Sequence, residues 1–227
     1  MLVKLSQDLL FAVKTNAEYD AFVRQLSELS VEDLLIELKE DNSKKAFWLN
    51  VYNAYAQLLL KKNPKLFEDR SAFYAKNQIA IAGMYLSFNE IEHGILRKSK
   101  WMYGMGFINK WFVVQIEKKL RVEHLDNRIH FALNCGAASC PPIKFYETEK
   151  IDEQLDLASG AYLEGDVIVE KNKVKVPALF LWFIGDFGGM KEIRKFLIKH
   201  KIISVDNKSS IKFKNYDWSL SLSTYDK

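Results

Sequence analysis

The stretch from Lys44 to Lys62 constrains the fold most. It reads as one long helix, the strongest in the chain. It stops short of Pro64, which has no amide hydrogen to continue a helix. Upstream, Leu5, Leu9, Leu10 and Val13 share one helical face, and Tyr19, Phe22, Val23 and Leu26 resume the pattern after Asn16. Ser30 is placed to cap a helix from Val31 to Lys39, with Glu32 and Asp33 in its first turn. Asp41-Asn42-Ser43 marks the next break.

Downstream the periodicity changes. Residues 78–86 read as two short strands turning near Gly83, and Ser87 or Asn89 caps a helix running to Arg97. Residues 101–107 place Gly104 and Gly106 among aromatics, the pattern of a loop held by its side chains, and 111–118 fits helix or strand equally. The run Arg128 to Asn134 is predicted to be a central strand feeding the loop Cys135 to Pro142. Thr148 caps a helix to about Leu163. A hairpin follows over 167–169 and 174–176, then helical pieces near 178–184 and 190–200, and residues 211–218 close the chain. The expected class is α+β, a helical N-terminal region packed on a small mixed or antiparallel sheet.

The chain has 227 residues, and 15 Phe, 10 Tyr and 5 Trp supply a core that needs no disulfide or structural metal at this length. The net charge of +4 comes from Lys and Arg interleaved with Glu and Asp, a solvated surface rather than a nucleic-acid footprint. No nucleic-acid partner is therefore expected, and with no run of about 18 apolar residues neither a membrane span nor a membrane partner is expected. Asp8 interrupts what would be the apolar region of a signal peptide, and Cys135 and Cys140 are too few for a secreted scaffold. The reducing cytoplasm is the expected location.

Three features carry chemistry. Cys135 sits at the end of the predicted strand and Cys140 in the loop beyond. A nucleophilic thiolate needs a histidine or helix N-terminus beside it, and period-two alternation turns His130 and Asn134 to the face opposite Cys135. Buried apolar cysteines are the plainer reading. Asn50 and Asn53 share one face of the long helix. They can orient a ligand or a histidine, or clamp a neighbouring loop backbone, because an unpaired buried amide costs roughly 1–3 kcal/mol. The third is the segment Asn89 to Arg97, where Glu90 and His93 lie three apart as an acid–base pair, or as metal ligands with His130 and Cys135. CxxxxC is not a zinc spacing, so no metal and no cofactor are expected. His124 and His200 read as surface residues, and Ser139 as a turn residue or alternative hydroxyl.

The blocks Phe47 to Ala54, Ser87 to Arg97 and Arg128 to Pro142, with the closing Tyr216 to Leu220, resemble the signatures of domain-of-unknown-function family 547. The resemblance covers about Lys44 to the C-terminus, which implies an N-terminal helical extension over 1–40 and a core domain over 41–227. It implies a bacterial or plant-type domain without an established activity, some relatives of which lack one or both cysteines. It further implies that Asn50, Asn53, Glu92, His93, His130, Cys135 and Ser139 meet in one site. Two functions are expected from this set. One is a Cys–His hydrolase or acyl transferase for a peptide-like or amide substrate, with the long helix against the 128–134 strand as in papain-like or transglutaminase-like enzymes. There Cys135 or Cys140 attacks, His93 or His130 takes the proton, and Asn50 or Asn53 steadies the oxyanion. With His93 ahead of the cysteines, that order is permuted. The other is a non-catalytic module whose Asn, His and aromatic residues hold a small molecule or peptide, the aromatics around Trp101, Tyr103, Phe107 and Trp111 suiting it.

Overall fold

The computed structural model describes residues 1–222. Three helices open the chain: α1 Leu2–Thr15, α2 Asp20–Glu28 and α3 Val31–Glu37. Asn16 ends α1 in the left-handed conformation that asparagine tolerates better than most residues (φ 55°). Ser30 and Asp33 exchange hydrogen bonds in a capping box at the start of α3. The long helix α4, Asp41–Lys62, starts at Asp41, so the expected break is its first turn. Asp41 earns that place by accepting the backbone amides of Glu123 and His124 at 2.7 and 2.8 Å.

Seventeen of the 22 residues of α4 are buried, which makes it the axis of the molecule rather than an amphipathic surface helix. Phe47, Trp48, Leu49 and Val51, which point to different sides of the helix, are all inaccessible. Complete burial of such a side chain contributes roughly 1.5–3 kcal/mol. Leu2, Leu9, Leu10, Val13, Leu26, Leu34 and Leu38 enter the same cluster, so the helices before residue 40 share one core with α4. Lys61 of α4 bonds the Val13 carbonyl at 2.7 Å and fixes the end of α1.

A 3₁₀ turn at Pro64–Asp69, helix α5 Arg70–Ala75, and the antiparallel pair β1 Ile79–Ile81 and β2 Met84–Leu86 lead to a π-helical turn at Glu90–Leu96. Helix α6, Gln115–Leu120, takes up the second half of the ambiguous 111–118 segment, and 111–114 is irregular. After α7, Ile151–Asp166, a mixed sheet forms: β3 Ile168–Val169 pairs antiparallel with β4 Lys173–Val176, which pairs parallel with β5 Ser210–Phe213. Helices α8 Leu179–Trp182 and α9 Met190–Lys199 cover it. Phe131, Leu163, Val174, Val176, Phe180 and Ile193 make a second core there. The architecture is α+β. Among the described residues no helix is long and apolar enough to cross a membrane.

The central strand expected over 128–134 is not formed. Asn127–Phe131 is a 3₁₀ helix capped by Asp126, whose side chain accepts the Arg128 amide. Arg128 is then forked onto Asp126, Asp152 and Asp156. A short apolar run suits a buried helical turn as well as a buried strand, and here capping chemistry decides. Asn53 does for the following backbone what a neighbouring strand would: it accepts the Asn134 amide at 2.8 Å and donates to the Ala132 carbonyl at 3.0 Å. The helix-on-strand pairing expected of a papain-like arrangement is therefore absent at this place. Thr148 does not cap α7 either; Lys150 precedes it with no side-chain cap.

Candidate functional site

A cleft of about 390 Å³ opens between the two cores. Tyr52 of α4 and Tyr74 of α5 form one wall, and Leu179, Trp182 and Phe183 the other, with Glu92, His93, His130 and Cys135 between them. The π-helical turn supplies the floor. It begins with a reciprocal cap in which Ser87 donates its amide and hydroxyl to Glu90 Oε2, both at 2.8 Å, and accepts the Glu90 amide at 3.1 Å. Glu90 is thereby consumed as a cap and does not pair with His93. The widened turn directs Glu92 and His93 to the cleft and Arg97 beneath it, an arrangement π-turns often serve.

Arg97 is fully buried and organises the site. Its Nε donates to Asp186 Oδ2 at 2.6 Å, its Nη1 donates to His93 Nδ1 at 2.8 Å, and its guanidinium lies 4.5 Å from the Phe183 ring centre. His130 Nε2 meets the same Asp186 oxygen at 2.9 Å, and its ring stacks on Phe183 at 3.8 Å. Arginine only donates, so His93 Nδ1 must accept and its hydrogen sits on Nε2. Burial pushes the His93 pKa down to about 3, with the Arg97 charge adding to it. Burial likewise lowers His130, although Asp186 opposes the shift. For Asp186 burial favours the neutral acid, but hydrogen bonds from His130 and Arg97 prevail and hold it at about 2. Both histidines are thus neutral at pH 7, and Asp186 is ionised.

Glu92 behaves differently. Burial pushes its carboxyl up to about 7, against the pull of Arg97 and a 3.3 Å hydrogen bond from the Tyr52 hydroxyl. A carboxyl poised there can both release and accept a proton at physiological pH. It is the group in the cleft best matched to proton transfer.

The two cysteines, read from sequence as separate thiols, are joined to each other. Their Cα atoms stand 6.2 Å apart, within disulfide reach. The loop that brings them together turns at Gly136, where φ is +92° and Leu60 occupies the space a side chain would need. Asn134 ties the loop by accepting the Gly136 amide at 2.9 Å and donating to the Pro141 carbonyl at 2.7 Å. Cys135 lines the cleft, and the Tyr216 hydroxyl lies 3.5 Å from its sulfur and 3.2 Å from that of Cys140. In this state neither sulfur is a thiolate.

Of the residues singled out in the sequence, Glu92, His93, His130 and Cys135 are gathered in the cleft. Cys140 lies behind it, buried. Asn50 and Asn53 are not on its surface: Asn50 clamps Tyr146 through both amide and carbonyl at 2.9 Å, as Asn53 clamps 132–134. Ser139 accepts the Asp217 amide and donates its own to the Asp217 carbonyl, docking the C-terminal segment that carries Tyr216 and Trp218. His124 is exposed, whereas His200 is half-buried against Phe196. Among the described residues no three acids, histidines or cysteines are grouped to hold a metal ion.

Residues 35–163, more than half of the chain, match the family described as protein of unknown function, DUF547. The chain belongs to that family. No curated protein and no solved structure matches it. The DUF547 match contains Tyr52, Glu92, His93, Arg97, His130 and both cysteines, but ends before Asp186, Phe183 and Tyr216. Those three, with Tyr52 and Arg97, were not singled out as site residues in the sequence, although Tyr216 opens the closing block. The available signal was Asp186 itself, one acid within the aromatic and glycine run from Trp182 to Gly189.

Proposed function

We propose that the DUF547 cleft is an active site for hydrolysis or acyl transfer on a peptide-like or amide substrate, with Glu92 as the proton-transferring group. The observation that carries this reading is the largely buried Glu92 carboxyl, which lines the cleft, held near pKa 7 beside His93 and walled by aromatics. In the proposed step, ionised Glu92 takes a proton from the attacking water or acceptor hydroxyl, whose oxygen adds to the carbonyl carbon. The hydrogen on His93 Nε2 stabilises the oxyanion. Protonated Glu92 then returns its proton to the departing amine as the C–N bond breaks.

A thiol route through Cys135 requires a dithiol reductant to open its bond to Cys140. Even then the neutral histidines supply no imidazolium to hold a thiolate, so the carboxyl route is favoured. The papain-like or transglutaminase-like likeness stands only as an analogy of reaction class. Cytoplasmic location belongs with these proposals, and a reversible Cys135–Cys140 bond is compatible with it.

A second reading, a ligand-binding module, is supported by the ladder of Trp182, Trp218 and Tyr216, with ring centres 4.6 to 5.5 Å apart. A panel of chromogenic anilides and esters, assayed from pH 5 to 9 with and without dithiothreitol, separates the two. Turnover that follows an apparent pKa near 7 and drops at least about a hundredfold in Glu92→Gln supports the enzyme. Turnover indifferent to Glu92→Gln, or none by the native chain under either redox condition, overturns it and leaves the binding module.

A further inference from the structure

Among the described residues, loop 101–112 gathers the largest group of exposed aromatic side chains. Trp111 is 89% exposed and Phe112 93%, and Trp101, Tyr103, Phe107 and Ile108 are exposed beside them. The loop is nevertheless built, not frayed. Trp101 donates its amide to the Ile108 carbonyl at 2.9 Å, Lys110 donates to Ser99 at 2.8 Å, and Gly185 anchors the base through the Met105 carbonyl at 2.8 Å. An ordered scaffold therefore presents large side chains to solvent, which soluble surfaces rarely do in a contiguous group.

The charge around this group is one-sided. Residues 98–124 hold six basic side chains (Lys98, Lys100, Lys110, Lys118, Lys119 and Arg121) against two acidic ones, Glu117 and Glu123. That excess of four equals the net charge of the whole chain. Glu117 is already engaged with Lys110 at 2.9 Å. The apolar hollow lined by Trp101, Ile108, Trp111 and Phe112 shares Asn109 and Lys110 with the basic hollow next to it, so the two surfaces are continuous.

We infer that this face docks on an anionic lipid surface, with Trp111 and Phe112 entering the headgroup–acyl boundary and the lysines meeting lipid phosphates. Aromatic side chains favour that boundary, and basic clusters next to them are drawn to anionic leaflets. A protein interface fits less well, because lysine is depleted from interface cores. Rings as exposed as Trp111 and Phe112 need no shaped counterpart in a fluid bilayer. Met102 and Tyr103 of the same loop line the cleft, so docking brings the cleft mouth to the lipid. The inference stands whatever the cleft does.

The test is co-sedimentation of the full chain with vesicles of phosphatidylcholine containing about a third phosphatidylglycerol, and with phosphatidylcholine alone. Native protein is expected to pellet with the anionic vesicles, less so at high salt. The double substitution Trp111→Ser with Phe112→Ser is expected to weaken binding at least about tenfold. Lys118→Glu with Lys119→Glu is expected to remove the preference for anionic lipid, and circular dichroism should show each variant folded. The inference fails if native protein does not pellet, or if the serine variant binds as well as native. It also fails if the loop instead holds two copies together in solution, seen as a dimer that the serine variant dissolves without any lipid binding.

Discussion

Two neighbouring stretches of one backbone reverse the usual distribution of side chains, and they do so in opposite ways. Residues 92–97 put His93 and Arg97 inside and Glu92 largely so, while residues 101–112 put tryptophan, tyrosine and phenylalanine outside. The buried charges are answered within the chain, Arg97 by Asp186 and His93, Glu92 by Tyr52. The exposed rings at Trp111 and Phe112 have no such answer among the described residues. Internal charge is retained only where the fold itself compensates it. An apolar surface left uncompensated is a statement about something outside the molecule.

The largest effect should come from breaking the compensation. Asp186→Ala leaves Arg97 buried without its carboxylate and is expected to cost about 3–5 kcal/mol in denaturant unfolding. A loss under about 1 kcal/mol would mean the network is wetter than its geometry. Because the Asp186 pKa is lowered in the folded state, its contribution is full above its unfolded value near 4. It should fade as pH falls toward 2.

Glu92 has the opposite sign. Its carboxyl is raised in the folded state, so ionising it opposes folding once pH climbs from about 4.5 to about 7. Glu92→Gln should therefore match native stability near pH 4.5 and exceed it by about 3 kcal/mol at pH 8. A pH-independent difference would show that Glu92 is not buried as a charge. A gain in stability paired with lost turnover would mark an active-site group held at a cost. The smallest effect belongs to the exposed loop: Trp111→Ser with Phe112→Ser should change stability by less than about 0.5 kcal/mol. A larger loss would mean that those rings are packed in solution and the contrast with residues 92–97 is false.

Much of the frame was legible in the residues. The heptad-like faces of α1, the Ser30 cap, the stop at Pro64, the turn at Gly83 and the hairpin over 168–176 all follow from local rules that act within a few residues. The segment 128–134 was not legible, because a short buried apolar run has no periodicity that separates strand from 3₁₀ turn. Its conformation depends on Asp126 before it and on Asn53, 79 residues away from the carbonyl it holds. The candidate site divides in the same way. Glu92, His93, His130 and Cys135 stood out by type and position, yet nothing local ties them to Asp186 or Tyr216, which arrive from the second core.

The sequence alone therefore determined the helical frame, the α+β class and the family, because caps, breakers and ordered motif blocks are short-range information. Tertiary structure decided which polar groups are paid for and which are left to act. It joined Cys135 to Cys140, spent Glu90 on a cap and Asn50 and Asn53 on loop backbones, and set Glu92 near neutrality. Those outcomes depend on burial and on partners far along the chain, and burial is a property that no single segment possesses before the cores close around it.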